Sequence, residues 1–131
     1  MDGEYRVETL AVPETLNLLH DLLDRVREDH PDVERTDLML FETAVIEITN
    51  NVVEHGPAGT IHYSFTLDVE HDRLLGHLCD GGPPLEKPLR TMPHTGSENG
   101  RGLALARIAL DDLAYQRVDE HNEWTMVRRR R

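Results

Sequence analysis

Hydrophobic residues recur at intervals of three and four positions in three segments of the chain, which is the period of an amphipathic helix. Proline, glycine or a short polar side chain lies near the ends of these segments, where helices commonly start or stop. The pattern predicts helices over about 13–29, from 36 or 37 to about 55, and over 102–110.

Alternating and β-branched stretches fill most of the remaining chain and favour strands. The predicted strands are 4–12, the pair 61–69 and 73–79, and a closing pair at 113–118 and 123–129. This order of elements predicts an α+β fold, a two-layer sandwich in which helices cover one face of a mixed, mostly antiparallel sheet. Since 131 residues suit one core, we expect residues 1–131 to form a single domain.

Composition and charge narrow the classes of function. The formal net charge of −11 argues against nucleic acid as a direct partner, because a duplex would repel the chain. Residues 128–131 form the one basic run, and we favour a frayed, solvated tail over a binding arm. There is no apolar run of roughly 20 residues and no signal-peptide order at the N-terminus. We therefore expect a cytoplasmic protein without a membrane partner.

The segment EITNNVVEHG, residues 47–56, places two asparagines inside the second predicted helix. Asparagine is unfavourable there by roughly half a kcal/mol relative to alanine, because its side chain competes with the backbone for hydrogen bonds. Glu47, Asn51 and His55 are four residues apart and share one stripe beside the apolar face. The stripe is either a solvated polar edge or a site for Mg²⁺, which prefers oxygen ligands.

Two glycine-rich segments follow the helix. LCDGGPP, residues 78–84, ends a strand at Asp80 and lets the backbone approach a ligand closely. NGRGLALA, residues 99–106, opens a helix whose free amides can bind phosphate oxygens. Either segment alone is more often an ordinary turn. The irregular stretch between them is long for a compact domain, which is typical of a functional loop.

Together, in this order and at these spacings, the three segments resemble the N, G1 and G2 boxes of the GHKL (Bergerat-fold) ATPases. The resemblance covers nearly the whole chain, and E-x-x-x-N-x-x-x-H-G is its most specific element. The chain is similar to the bacterial anti-sigma factor branch, the serine-protein kinases that control alternative sigma factors. The resemblance implies ATP and Mg²⁺ as cofactors, a sigma factor and a STAS-type anti-sigma factor antagonist as partners, and a homodimer.

The resemblance also implies a role for each matching residue. Glu47 would be the general base toward the attacking hydroxyl, Asn51 would coordinate Mg²⁺, and His55 would lie near the nucleotide. A positioned base typically contributes about 10²–10⁴-fold in rate. By the same resemblance, Asp80 would accept a hydrogen bond from the adenine amino group, and Gly82 follows it at the expected spacing. The phosphates would be bound by the segment Gly100, Arg101, Gly102 and Leu103. Thr125 would lie beside Asp80. Thr125 can equally be interpreted as a residue that only favours the strand and has no role in binding. Residues 83–99 would form the ATP lid.

The chain departs from the D-x-G-x-G pattern of the G1 box at Pro84, where the pattern has glycine. Proline lacks an N–H and fixes φ, so we expect weaker nucleotide affinity or lid motion. The alternative to an active kinase is therefore a module that binds nucleotide and sequesters its sigma factor without transferring phosphate. Glu47 favours the kinase, because nucleotide binding alone needs no base.

Two other classes fit less well. His20 and Asp21 resemble the phosphoacceptor pair of a sensor kinase, but the roughly 15 residues before the second helix leave no room for a dimerisation hairpin. We expect His20 at the surface of the first helix. A metal hydrolase lacks its H-E-x-x-H motif, and we expect the eight histidines to be scattered over the surface. Cys79, the single cysteine, is predicted to be a small buried residue of a strand.

Overall fold

The computed structural model describes residues 3–55, 59–85 and 98–131, with side chains from Leu103 onward in the last range. The described elements are β1 Gly3–Leu10, α1 Thr15–Asp29, α2 Arg35–His55, β2 His62–Val69, β3 Arg73–Asp80, α3 Glu98–Ala109, β4 Asp112–Val118 and β5 His121–Arg129. Each predicted helix and strand is present. The largest shift of a boundary is at α3, which begins at Glu98 rather than at residue 102.

The strands form one sheet in the order β1-β2-β3-β5-β4, and each neighbouring pair is antiparallel. Along β2 and β5 every second side chain is buried, among them Phe65, Leu67, Trp124 and Met126. These residues face the helices, whereas the alternate positions lie on the other, uncovered face of the sheet. The predicted α+β fold with one covered face is therefore confirmed.

The three helices lie side by side on the covered face. α1 contacts β1, α3 contacts β4, and α2 packs between α1 and α3. Leu19, Leu22, Leu23 and Val26 of α1 are fully buried, and burial of each such side chain stabilises the fold by roughly 1.5–3 kcal/mol. Because α2 is the middle helix, one of its flanks faces α1 and the other faces α3.

Arg128 shows that α2 and α3 run antiparallel. Its guanidinium pairs with Asp37 in the first turn of α2 and donates a hydrogen bond to the carbonyl of Ala109, the last residue of α3. The start of α2 therefore lies at the end of α3. Because the two helices pack along each other, the C-terminal half of α2 lies beside the N-terminal half of α3.

The expectation of a frayed, solvated tail at residues 128–131 is wrong. Arg128 is buried, Arg130 pairs with Asp32, and the backbone N–H of Arg131 donates to Asp37. The acidic side chains that hold these arginines lie far away in the sequence. The run of arginines in the sequence therefore does not indicate that its side chains pair with these distant acidic residues.

Three further expectations concern single side chains. His20 is about half exposed on α1, as predicted, but His30 is buried, so the histidines are not all at the surface. Cys79 is only half-buried, because the odd-numbered residues of β3 lie on the uncovered face. Among the described residues, no helix is both long enough and apolar enough to cross a membrane.

Candidate nucleotide site

Glu47 and Asn51 lie on the flank of α2 that faces α3. The opposite flank is marked by Glu42, whose carboxylate accepts a hydrogen bond from Arg27 of α1 at 2.9 Å. At about 100° per residue, Glu47 and Asn51 are about 140° and 180° around the helix from Glu42. Both are half-buried. The stripe therefore borders the packed core between α2 and α3 and is not a fully solvated edge.

Two other residues of the N box lie in the C-terminal half of α2. His55 is the last residue of the helix and is exposed, and Asn50 is half-buried beside Asn51. Gly56, the final position of the box, lies outside the described residues. Within the described residues, no hydrogen bond or ion pair joins the side chains of Glu47, Asn50, Asn51 or His55 to another residue.

Asp80 is the last residue of β3 and is only 2% exposed. Its Oδ1 accepts hydrogen bonds from the backbone N–H of Gly82 and from Nδ2 of Asn122, each at 2.9 Å. Its Oδ2 accepts one from Nε1 of Trp124 at 3.2 Å. Burying a carboxylate is costly unless donors replace water, and here three donors from the chain do so.

Tyr63 connects Asp80 with α2. It lies directly opposite Asp80 on the neighbouring strand, and its hydroxyl is hydrogen-bonded to the hydroxyl of Thr49 at 2.8 Å. Burial raises the pKa of the Tyr63 phenol, and the charge of Asp80 adds to the rise although the bond to Thr49 opposes it. The neutral phenol thus joins α2 at Thr49 to the strand position opposite Asp80, so the end of β3 lies under the C-terminal half of α2.

The N-terminal half of α3 lies at the same end of the molecule, because α3 runs antiparallel to α2. Gly100, Arg101 and Gly102 belong to its first turns, and Leu103 is buried in the core. The side chain of Arg101 lies outside the described residues. The first amides of a helix have no partner within it and can bind phosphate oxygens. The elements that carry the three motifs therefore lie at the same end of the helical layer.

One detail of the predicted site is wrong. Thr125 does not lie beside Asp80, since it is opposite His77 on the uncovered face of the sheet. Asn122 and Trp124, the even-numbered residues, face Asp80 instead. The alternation of apolar residues in β5 would have shown this, because Trp124 and Met126 mark the covered face. The lid expected at about 83–99 stays a prediction, because residues 86–97 lie outside the described residues; its last two positions, 98 and 99, begin α3.

The G1 segment after Asp80 is held by side chains that the sequence analysis missed. Arg117 donates to the carbonyl of Gly82 at 2.7 Å, and Asn122 donates to the carbonyl of Pro83 at 2.8 Å. The hydroxyl of Tyr115 accepts the N–H of Leu85 at 2.8 Å. Pro84, between these residues, has no N–H to give. Side chains of the β4–β5 hairpin thus fasten the segment in which glycine was expected.

The described residues around Asn51 do not by themselves form a complete metal site. Among the described residues, no cluster of three or more His, Cys, Asp or Glu side chains is arranged to hold a metal ion. The carboxamide oxygen of Asn51 is nevertheless a hard donor of the kind Mg²⁺ accepts, and this ion is commonly bound by one or two protein groups plus substrate phosphates. The residues present therefore fit a magnesium ion that enters with a nucleotide.

Comparison with known proteins identifies the family. The model of the histidine kinase-like ATPase domain matches residues 9–128. The chain belongs to this family. Membership in an ATPase domain family implies ATP binding, and the resemblance to GHKL ATPases is confirmed. A comparison with curated protein sequences gave no match.

Two solved structures share the fold of this histidine kinase-like ATPase domain. One contains the RsbU and RsbW domains of Rv1364c from Mycobacterium tuberculosis, with a TM-score of 0.68 and 16% identity over 98% of this chain. The present chain spans only 33% of that structure. The other is the histidine kinase AdeS of Acinetobacter baumannii, with a TM-score of 0.53 and 12% identity, covering 96% of this chain and 68% of that one.

Proposed function

We propose that residues 1–131 form a cytoplasmic, ATP-dependent serine-protein kinase of the anti-sigma type. It would bind a sigma factor and phosphorylate a serine of a STAS-type antagonist, and it would act as a homodimer. The observation that carries the proposal is the convergence of three groups. The flank of α2 with Glu47 and Asn51, the buried Asp80, and the first turns of α3 all lie at one end of the helical layer.

Each group has a distinct task in binding ATP. Asp80 accepts a hydrogen bond from the adenine amino group, with Gly82 allowing close approach of the base. The amides at Gly100 and Gly102 and the charge of Arg101 bind the phosphates, and Leu103 anchors this end of α3 in the core. An acidic protein needs such local donors, because its net charge of −11 repels a triphosphate.

The catalytic pair lies on one flank of α2. Asn51 would hold Mg²⁺, which neutralises phosphate charge when bound. Glu47 precedes Asn51 by one helical turn, a rise of about 6 Å, and would take the proton of the attacking serine hydroxyl. His55 follows by another turn, at the exposed end of α2 near the nucleotide.

The proposal predicts that Glu47→Ala removes phosphate transfer and leaves ATP binding in place. A positioned base contributes about 10²–10⁴-fold, so transfer of ³²P from Mg-ATP to the antagonist should fall by at least about 100-fold. Nucleotide binding, measured by calorimetry, should stay within about threefold. Glu42→Ala is the matched control, because it removes a carboxylate from the opposite flank of the same helix and should retain transfer.

The second candidate is a nucleotide-binding anti-sigma module without kinase activity. The fastened G1 segment around Pro84 favours it, since a segment held by three side-chain hydrogen bonds resists the motion that a closing lid needs. If the wild-type protein binds ATP and sigma factor but labels no antagonist, this second function replaces the first. Failure of ATP to bind at all contradicts both functions.

A further inference from the structure

We propose that Asn122 is a specificity-determining positioning residue, whose side-chain amide holds the carboxylate of Asp80 in the arrangement that selects adenine. The inference rests on the proposed binding of ATP at Asp80. It assigns the preference of the site for adenine in part to the β4–β5 hairpin. The sequence motifs, by contrast, contain only Asp80.

The orientation of the Asn122 amide is fixed by its neighbours. Nη1 of Arg117 lies 3.0 Å from Oδ1 of Asn122, and a guanidinium can only donate. The hydroxyl of Tyr115 donates to this same oxygen while it accepts the N–H of Leu85. Two donors therefore meet Oδ1, so the NH₂ group points the other way, toward Asp80.

The amide leaves the Asp80 carboxylate with little remaining hydrogen-bonding capacity. A carboxylate offers about four acceptor positions, two on each oxygen. Oδ1 already accepts from Gly82 and Asn122, and Oδ2 accepts from Trp124. One position is left, on Oδ2, and it can only accept. Adenine presents an N–H there, whereas guanine presents a carbonyl oxygen whose lone pairs would face the carboxylate.

Asn122 also binds the segment that leaves the site. Its Nδ2 donates to the carbonyl of Pro83 at 2.8 Å and lies 3.4 Å from the carbonyl of Gly82. One side chain therefore fixes both the acceptor for the base and the backbone next to it. Removing the amide leaves Asp80 with only the donors of Gly82 and Trp124 and takes one side-chain hydrogen bond from residues 82–85. Both are then held less firmly, while the phosphate-binding end of α3 is unchanged.

The test compares ATP with purine riboside triphosphate, which lacks the 6-amino group but keeps the same ribose and phosphates. Wild-type protein should bind ATP at least about tenfold more tightly, the value of one hydrogen bond of about 1.4 kcal/mol. Asn122→Leu keeps the size of the side chain and should lose most of this preference. The preference for ATP over GTP should fall in parallel. If Asn122 had only a structural role, its substitution would weaken the binding of all three nucleotides equally, and the ratios of their dissociation constants would not change.

Gln116→Leu is the matched control, because Gln116 lies on the same hairpin but bonds Glu123 on the uncovered face. It should keep the wild-type ratios. Asn122→Ser, whose hydroxyl is too short to reach Asp80, gives a second variant should the leucine variant not fold by near-ultraviolet circular dichroism. A folded Asn122 variant with undiminished preference for ATP overturns the inference. Wild-type protein that binds none of the three nucleotides instead contradicts the proposed function.

Discussion

The ion pair between Arg128 and Asp37 lies inside the protein, with side chains only 9% and 1% exposed and 3.0 Å apart. Arg128 also donates to the carbonyl of Ala109, and Asp37 also accepts the N–H of Arg131. Among the described residues, every buried polar side-chain atom has a hydrogen-bond partner. Each member of this pair therefore depends on the other to offset the cost of its burial.

Removal of one member should be strongly destabilising. We expect Asp37→Ala to lower the free energy of unfolding by about 3–5 kcal/mol, because Arg128 would be left buried without a counter-charge. Urea denaturation measures the change. The surface pair Arg130–Asp32 is the control, since Asp32 is 59% exposed and Asp32→Ala should cost at most about 1 kcal/mol. A cost below about 1 kcal/mol for Asp37→Ala would contradict this account.

Sequence reasoning at this scale succeeds where spacing within one element decides the outcome. Glu47 and Asn51 fall on one flank because they are one helical turn apart. It fails where the partner is distant in the sequence, since Asp37 lies 91 residues from Arg128. Thr125 was misplaced by one position, and in a strand a shift of one residue moves a side chain to the other face of the sheet.

At the scale of elements, Asp111, the residue before β4, links the start of that strand to the end of β5. Its carboxylate accepts the N–H of Arg129 at 2.6 Å and pairs with the guanidinium of Arg131 at 2.9 Å. The hydrogen bond from Arg131, followed by that from Arg129, lowers the pKa of Asp111 to about 2. Folding thus favours the ionised carboxylate, and this part of the stability depends on pH.

The sign follows from the lowered pKa. The contribution of Asp111 is fully present above the unfolded value of 3.8 and is lost as the pH falls through about 2. Because solvent screens this exposed ion pair, we expect Asp111→Asn to be less stable than wild type by at most about 1 kcal/mol at pH 6, and the difference to close toward pH 2. Urea denaturation across this range measures it. The control is Asp112→Asn, which changes an exposed neighbour and should alter the free energy of unfolding by less than about 0.5 kcal/mol. A difference between Asp111→Asn and wild type that stays the same from pH 6 to pH 2 would contradict the dependence on the ionised carboxylate.

The boundaries of elements were predictable where hydrophobic periodicity reaches the ends. β2 and β3 match closely because apolar residues recur along both strands as far as the polar turn between them, and in the structure buried positions alternate throughout them. α3 begins four residues earlier than predicted, because Glu98, Asn99, Gly100 and Arg101 carry no apolar stripe. The position of β5 between β3 and β4 was not predicted either. Hairpin strands look alike in sequence, and only the more complete burial of β5 distinguishes the inner one.

At the scale of the whole molecule, the candidate site joins parts of the chain that are far apart in sequence. α2 supplies Asn51, β3 supplies Asp80, and α3 supplies the amides near Gly100. A ligand that contacts all three elements binds only when the helices are docked on the sheet. Nucleotide binding and global folding are therefore linked, and the linkage can be measured without any partner protein.

We expect Mg-ATP at about 100 times its dissociation constant to raise the free energy of unfolding by about 2.7 kcal/mol. Trp124 reports the transition, because it is the single tryptophan, is 2% exposed and is hydrogen-bonded to Asp80. The urea midpoint should rise with an unchanged slope, since the ligand does not alter the surface exposed on unfolding. Glu47→Ala should keep this shift, whereas Asn51→Ala should lose most of it at the same concentration. An equal shift in the Asn51 variant would place the nucleotide away from α2, and the three-element site would then be wrong even if the fold is right.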